Sequence, residues 1–159
     1  MLEVVIIYKK ILFGLDGSEN SNRAAKKVIE LQKKWNCNVV IFHSIKHPKK
    51  IFLYPLVLTA SFGSCYTTEI NFLTEYEKEA KKILRDNKKI FDEAQVPVES
   101  RLIKDENPED YIERVVKEEG FDLVVVGIKG VHSKLRQIIT GSVAQKVIKH
   151  TPCDVLIVK

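Results

Sequence analysis

Proline and glycine are scarce in this chain, with 5 and 7 residues among 159. No low-complexity stretch or linker composition interrupts it. The length suits one domain spanning 1–159, with a core that needs no covalent staples. Cysteine is scarce too. Cys37, Cys65 and Cys153 show neither CxxC spacing nor Cys/His ligand spacing. An odd set without a secretory signal fits a reducing interior, where each thiol is expected to act as a small buried hydrophobe. No apolar run approaches membrane length. Met1 to Tyr8 is apolar over only 8 residues and lacks a cleavage pattern, so a cytoplasmic protein with no membrane partner is expected. Neither sign of charge dominates: 26 basic and 21 acidic residues leave a net +5, spread along the chain. A nucleic-acid binder concentrates its cations on one face, and no such concentration is visible here. The motifs of several chemistries are missing: HExxH, GxSxG, a carboxylate cluster, the compact GxGxxG and GxxxxGK[ST].

What is present is an alternation. Tyr8 to Asp16 is a short apolar run ending in a turn signal, read as a strand and a loop. Ala24, Ala25, Val28, Ile29 and Trp35 follow at helical spacing, with Ser18 or Asn20 able to cap the helix start. Asn38 to Ile45 is a continuous apolar run, as expected of a strand covered on both faces. Lys46 to Thr68 is irregular and reads as a loop. From Glu69 to Ala94 a helix is expected, its stripe formed by Phe72, Leu73, Tyr76, Ala80, Ile83, Leu84, Ile90 and Phe91. Val98 to Ile103 reads as a strand. The next helix has Asn107 as N-cap, Pro108 at its first position and Gly120 at its left-handed end. Phe121 to Gly127 is a buried strand. Ser142 to His150 is a helix with Val143, Ala144, Val147 and Ile148 facing inward, and Cys153 to Lys159 is a last strand. The order β-α-β-loop-α-β-α-β-α-β implies a parallel sheet with helices on both faces. In such sheets ligands bind beyond the carboxyl ends of strands, where strand order reverses. Two loops qualify: Gly14 to Asn20, and Gly127 to Ser142.

The second loop carries three spaced glycines. Gly127 ends a strand, Gly130 offers a further turn position, and Gly141-Ser142 opens a helix whose free N–H groups and positive dipole end attract anions. Ser142 Oγ is a further donor. As a set they form a wide cradle for a polyphosphate. Taken singly, each glycine reads as a turn residue only, and Ser142 can be a helix cap only; the set is what points to phosphate. Lys129, His132, Lys134 and Arg136 put positive charge in this loop, for phosphate or simply for solvent. Asp16 can accept from a ribose hydroxyl or adenine amine, help hold a metal ion, or only close an Asx turn. His43 lies in an apolar strand without a Ser/Asp partner, which reads as a satisfied strand residue rather than a catalyst.

At these residues the chain resembles the universal stress protein family. The resemblance runs through Tyr8 to Leu31, Val39 to Ile45 with its histidine, Asn107 to Gly130 and Gly141 to Lys159, essentially the whole chain. It implies a three-layer, doubly wound, five-stranded parallel sheet, Rossmann-like, of the adenine nucleotide alpha hydrolase type, with strand order 3-2-1-4-5. Nucleotide-binding members carry G-x2-G-x9-G-[ST]. Here Gly127-x2-Gly130 and Gly141-Ser142 match, and the gap from Val131 to Thr140 is 10 residues, one more than the pattern. The extra residue falls in Val131 to Lys134. Carried over by position, the resemblance implies a nucleotide site of Gly14, Leu15, Asp16, Ser44, Val126, Gly127, Gly130, Gly141, Ser142 and Val143. Gly14 and Leu15 stand where members often have Pro and Thr. The implied ligand is ATP, with AMP or ADP as variants and Mg²⁺ accompanying the nucleotide. The implied assembly is a homodimer through the last strand.

The reading these features support is a small ATP-binding, stress-response regulatory dimer with an unknown protein partner. No efficient catalysis is expected, since no general base or arginine finger stands in suitable context, although slow ATP hydrolysis fits. One alternative is a nucleotide-free dimeric interaction module of the same family. Another is an adenylyl-transfer or ATP-pyrophosphatase relative, which would want a different Gly/Ser-rich loop after the first strand.

Overall fold

A computed structural model describes residues 7–46, 62–128 and 141–159, with side-chain detail for all of these except 62–73. Among the described residues nine elements alternate: β1 (Lys10–Leu15), α1 (Glu19–Trp35), β2 (Asn38–Ile45), α2 (Phe62–Glu93), β3 (Glu99–Lys104), α3 (Pro108–Glu119), β4 (Leu123–Gly127), α4 (Ser142–His150) and β5 (Asp154–Val158). The five strands form one parallel sheet in the order β3-β2-β1-β4-β5, as the resemblance implied.

The sheet is covered on both faces, and alternation along each strand divides the core in two. Ile11, Phe13 and Leu15 of β1, with Val39 and Ile41 of β2, meet Ala24, Ala25 and Val28 of α1 and Leu84 and Phe91 of α2. Leu12, Val40, Phe42, Val124 and Val126 meet Ile112, Val115 and Val116 of α3 and Ala144 and Val147 of α4. From β1 the chain crosses through α1 to β2. From β4 it crosses through α4 to β5 in the opposite direction. The order therefore reverses between β1 and β4, and a crevice opens at their carboxyl ends.

Local chemistry explains the helix ends. Ser18 Oγ accepts from Ser21 N–H at 3.1 Å, so Ser18 is the cap of α1. Asn107 occupies the cap position of α3, but its side chain donates to Asp110 instead of capping the backbone. Gly120 ends α3 at φ 68°, the left-handed conformation glycine adopts without strain.

Some boundaries and faces differ from expectation. β3 begins at Glu99 and β4 at Leu123, each a residue or two later than the apolar runs suggest. α2 begins at Phe62 rather than Glu69. Tyr76 and Ile148 were expected to face inward and are 55% and 54% exposed. Cys37 is buried, Cys153 is partly buried, and Cys65 lies among residues without side-chain detail.

Candidate nucleotide site at the carboxyl edge of β1 and β4

The pairing of Phe13 with Val125 brings the ends of β1 and β4 to the same edge of the sheet. Six of the expected residues, Gly14, Leu15, Asp16, Val126, Gly127 and Gly141, meet there, with Ser142 and Val143 opening α4 beside them. Ser44 sits one strand away. Gly130 lies outside the described residues.

The β1–α1 turn is tightly specified. Asp16 Oδ1 accepts from Ser18 N–H at 2.9 Å, an Asx turn. Asp16 Oδ2 has no protein partner among the described residues. Gly17 sits at φ 75°, and a Cβ there would lie 3.0 Å from Ile83 Cδ1 of α2. The positive φ favours glycine, and a side chain there would also have to push the end of the Ile83 side chain aside. Leu15 is buried, so only its backbone is available at the edge, and its carbonyl oxygen lies 2.7 Å from His43 Nδ1. Gly14 packs under the Phe42 ring, where a Cβ would come within 3.3 Å. This glycine makes room for the β2 aromatic.

At β4, Val126 is buried and offers only backbone. Gly127 faces the first turn of α1, where its Cβ would meet Asn20 Cβ at 3.4 Å and Ser21 N at 3.6 Å. Asn20 ends the first candidate loop, whereas Ser21 lies beyond it and is a further neighbour of the site. Ser21 is 1% exposed, and its Oγ finds no hydrogen-bond partner among the described residues. Nothing in the local sequence marks it beyond its helical spacing from Ala24, Ala25 and Val28.

The chain between Ile128 and Gly141 is clamped at its base. Ile128 N–H donates to Val158 O at 2.9 Å, and Gly141 N–H donates to Ile128 O at 2.7 Å. Gly141 then accepts from Gln145 N–H at 3.0 Å and starts α4 in an extended conformation. Both flanks of the glycine motif are thereby held at one point, independently of how many residues lie between them. An insertion into such a loop costs little, because closure entropy grows only slowly with length.

Helix ends differ in what they offer an anion. α1 begins with its own Ser18 cap and Glu19, and α3 begins with Glu109 and Asp110. α4 has glycine at the cap, no side-chain cap bond and no acidic residue in its first turn. The first N–H groups of a helix have no acceptor within it, and here they open onto the β4 edge with the positive end of the dipole. These features fit a phosphate. A divalent cation fits more loosely. Asp16 Oδ2 supplies one carboxylate oxygen, and no group of three or more His, Cys, Asp or Glu is poised for a metal among the described residues. Mg²⁺ needs no more, since it keeps several waters and takes other ligands from phosphates.

The resemblance puts the end of β2, His43 to Ile45, beside the adenine mostly through backbone groups. The Ser44 hydroxyl donates to the Glu106 carbonyl in the β3–α3 loop, which leaves its backbone for a ligand. Val143 is partly buried against the α3/α4 side of the core, and it too faces the site through backbone alone.

At the opposite, amino edge lies an ionic group with a structural task. Arg101 donates to both carboxylate oxygens of Glu119, at 2.6 and 3.0 Å, and to Tyr111 Oη at 3.1 Å. Lys10 Nζ adds a contact to Glu119 Oε2 at 3.1 Å and lies 4.4 Å from the centre of the Phe121 ring. The Arg101 guanidinium, with Lys10, holds the Glu119 carboxyl down at about 2. No helix among the described residues is long and apolar enough to cross a membrane.

Comparison with known proteins agrees with this architecture. The family model described as "Universal stress protein family" matches residues 7–159. The universal stress protein YxiE of Bacillus subtilis is 32% identical over 158 residues, covering 96% of this chain and 100% of that protein. The universal stress protein MJ0531 of Methanocaldococcus jannaschii is 30% identical, covering 96% of this chain and 83% of that protein. Among solved structures, UspA of Lactobacillus plantarum superposes with a TM-score of 0.76 at 19% identity, covering 96% of this chain and 98% of that one. With a model matched over nearly its full length and the expected strand order in place, the chain belongs to the universal stress protein family.

Proposed function

We propose that this protein binds an adenine nucleotide, ATP with Mg²⁺ in the first instance, at the carboxyl edge of β1 and β4. Its role is that of a cytoplasmic regulatory dimer in a stress response. The observation that carries the reading is the clamped base of the glycine loop beside the uncapped, acid-free start of α4. The phosphates sit at the N–H groups of Ser142, Val143 and Ala144, with Ser142 Oγ as a further donor and Gly127 and Gly130 giving backbone access. Asp16 Oδ2 takes a ribose hydroxyl or a water of the metal. The adenine lies toward the ends of β1 and β2, against backbone of Leu15 and Ser44. Structures of this fold support the ligand class: one universal stress protein has been solved in complex with cAMP, one from Archaeoglobus fulgidus with dAMP, and one from Arabidopsis thaliana with AMP. These are 22%, 21% and 17% identical to this chain, with TM-scores of 0.66, 0.66 and 0.64.

The nucleotide acts as a ligand that selects between two states of the surface, rather than as a substrate turned over quickly. A steady-state Mg-ATP hydrolysis rate near about 10 s⁻¹, a common enzyme value, contradicts that part of the proposal. The binding itself is tested on protein freed of small molecules by unfolding and refolding. Nucleotide released on denaturation is identified by chromatography, and adenosine, AMP and Mg-ATP are titrated by calorimetry. Affinity rising from adenosine to Mg-ATP is expected. No released nucleotide and no heat from any of the three overturns the proposal in favour of a nucleotide-free interaction module.

A further inference from the structure

His43 stands opposite Leu15 in the β1–β2 register, two residues before the end of β2 at Ile45, and its side chain is half-buried at the carboxyl edge. Its Nδ1 lies 2.7 Å from Leu15 O. A carbonyl only accepts, so Nδ1 must carry the proton, and in the neutral ring Nε2 is then left as an acceptor. Leu15 is the last residue of β1, and its carbonyl belongs to the same peptide plane as the Asp16 N–H. That plane leads into the turn in which Asp16 Oδ1 holds Ser18 N–H and Gly17 lies against Ile83. The imidazole therefore grips the turn at its entry, the Asx bond closes it, and α2 backs it from outside.

We propose that His43 is a positioning residue of the nucleotide site: by donating from Nδ1 to the Leu15 carbonyl it fixes the peptide that aims Asp16. The role rests on the nucleotide reading above, but the brace itself is visible in the free protein. Asparagine places its amide nitrogen near the position of Nδ1, whereas glutamine places its amide near Nε2. Leucine fills the volume with no donor.

The test uses the full chain and these three substitutions. In free protein, two-bond ¹H–¹⁵N correlations of His43 are expected to show the Nδ1–H tautomer, and Ser18 amide exchange reports the turn. His43→Asn should keep wild-type exchange and Mg-ATP affinity within about twofold, while His43→Gln and His43→Leu exchange Ser18 faster and bind about five- to tenfold more weakly, as loss of one hydrogen bond implies. A residue that only filled space would rank leucine above asparagine. An Nε2–H tautomer overturns the proposal, and so does a His43→Leu protein with unchanged Ser18 exchange. If wild-type protein binds no nucleotide, the function proposed above fails on its own, and the tautomer and the exchange data still decide whether the brace exists.

Discussion

At the scale of single residues, three glycines in or next to the expected site have different reasons to be glycine. Gly17 meets both a positive φ and the Ile83 side chain. Gly17→Ala should cost about 1–2 kcal/mol, the strain of a left-handed non-glycine residue, read as a lower denaturant midpoint with an unchanged slope. Gly127 has room for a Cβ at 3.4 Å from Asn20, but not for branches beyond it. Gly127→Ala should be tolerated, and Gly127→Val should cost about 1–3 kcal/mol by overpacking α1 against β4. Gly14 makes space for the Phe42 ring, a neighbour that the sequence cannot reveal because it arrives from another strand. Motif spacing marks Gly127, and the family resemblance adds Gly14. Neither separates glycines that make room for protein from those that make room for a ligand. Ser44 shows the same limit, since its partner is a carbonyl 62 positions away. Glu119 offers a test in pH. Its folded pKa of about 2 lies below the ordinary 4.5, so its contribution is complete above about pH 4.5 and fades as pH falls toward 2. With screening at a partly exposed pair, roughly 1–2 kcal/mol should be lost across that window, and Glu119→Gln should flatten this part of the stability profile.

Elements were legible where their ends carry chemistry. The Ser18 cap, the Asn107-Pro108 start and Gly120 define α1 and α3 in the sequence, and the structure starts and stops those helices there. The start of α2 is hidden in the sequence because Gly63, Ser64, Thr67 and Thr68 are poor helix formers, and each weakens the helical pattern. The helix spans 32 residues, about 48 Å at 1.5 Å each. Glu77 pairs with Lys104, the last residue of β3, at 2.7 Å, so the part of α2 before Glu77 reaches past the carboxyl edge of the sheet. Ile148 was assigned inward from the apolar pattern of a short helix. Only one side of α4 meets α3 and the sheet, and Ala144 and Val147 fill it. The start of α4 gives the sharpest prediction at this scale. Gly141→Asp supplies a better cap than glycine and should hold or raise helix stability by a few tenths of a kcal/mol. The same carboxylate would occupy the anion position and oppose the phosphates. Stability and nucleotide affinity should therefore move in opposite directions.

For the whole molecule, the alternation of apolar runs and amphipathic segments was enough to give class and sheet type, because a parallel sheet buried on both faces leaves a strong signal in composition. Strand order entered through family resemblance, not through any pattern in the chain. The two sheet edges are unlike. β3 carries Glu99, Arg101 and Lys104, charges that discourage edge pairing, whereas Val155 to Val158 of β5 carry none. We propose pairing of β5 with a second copy. Val158 O points to β4, where it accepts from Ile128, so neighbouring Ile157 turns its N–H and C=O to the open side. Ile157→Pro should then dissociate the dimer without breaking the β4 ladder, read as halved mass by sedimentation.

The central claim is that the clamped glycine loop and the uncapped start of α4 hold the phosphates of an adenine nucleotide. Its most direct test is Mg-ATP binding to stripped wild-type and Gly141→Asp protein, with thermal unfolding of both measured in the same buffer. The account predicts binding by the wild type, at least about tenfold weaker binding by the variant, and an equal or higher melting temperature for the variant. Equal affinity for the two proteins, with the variant fully folded, would contradict it.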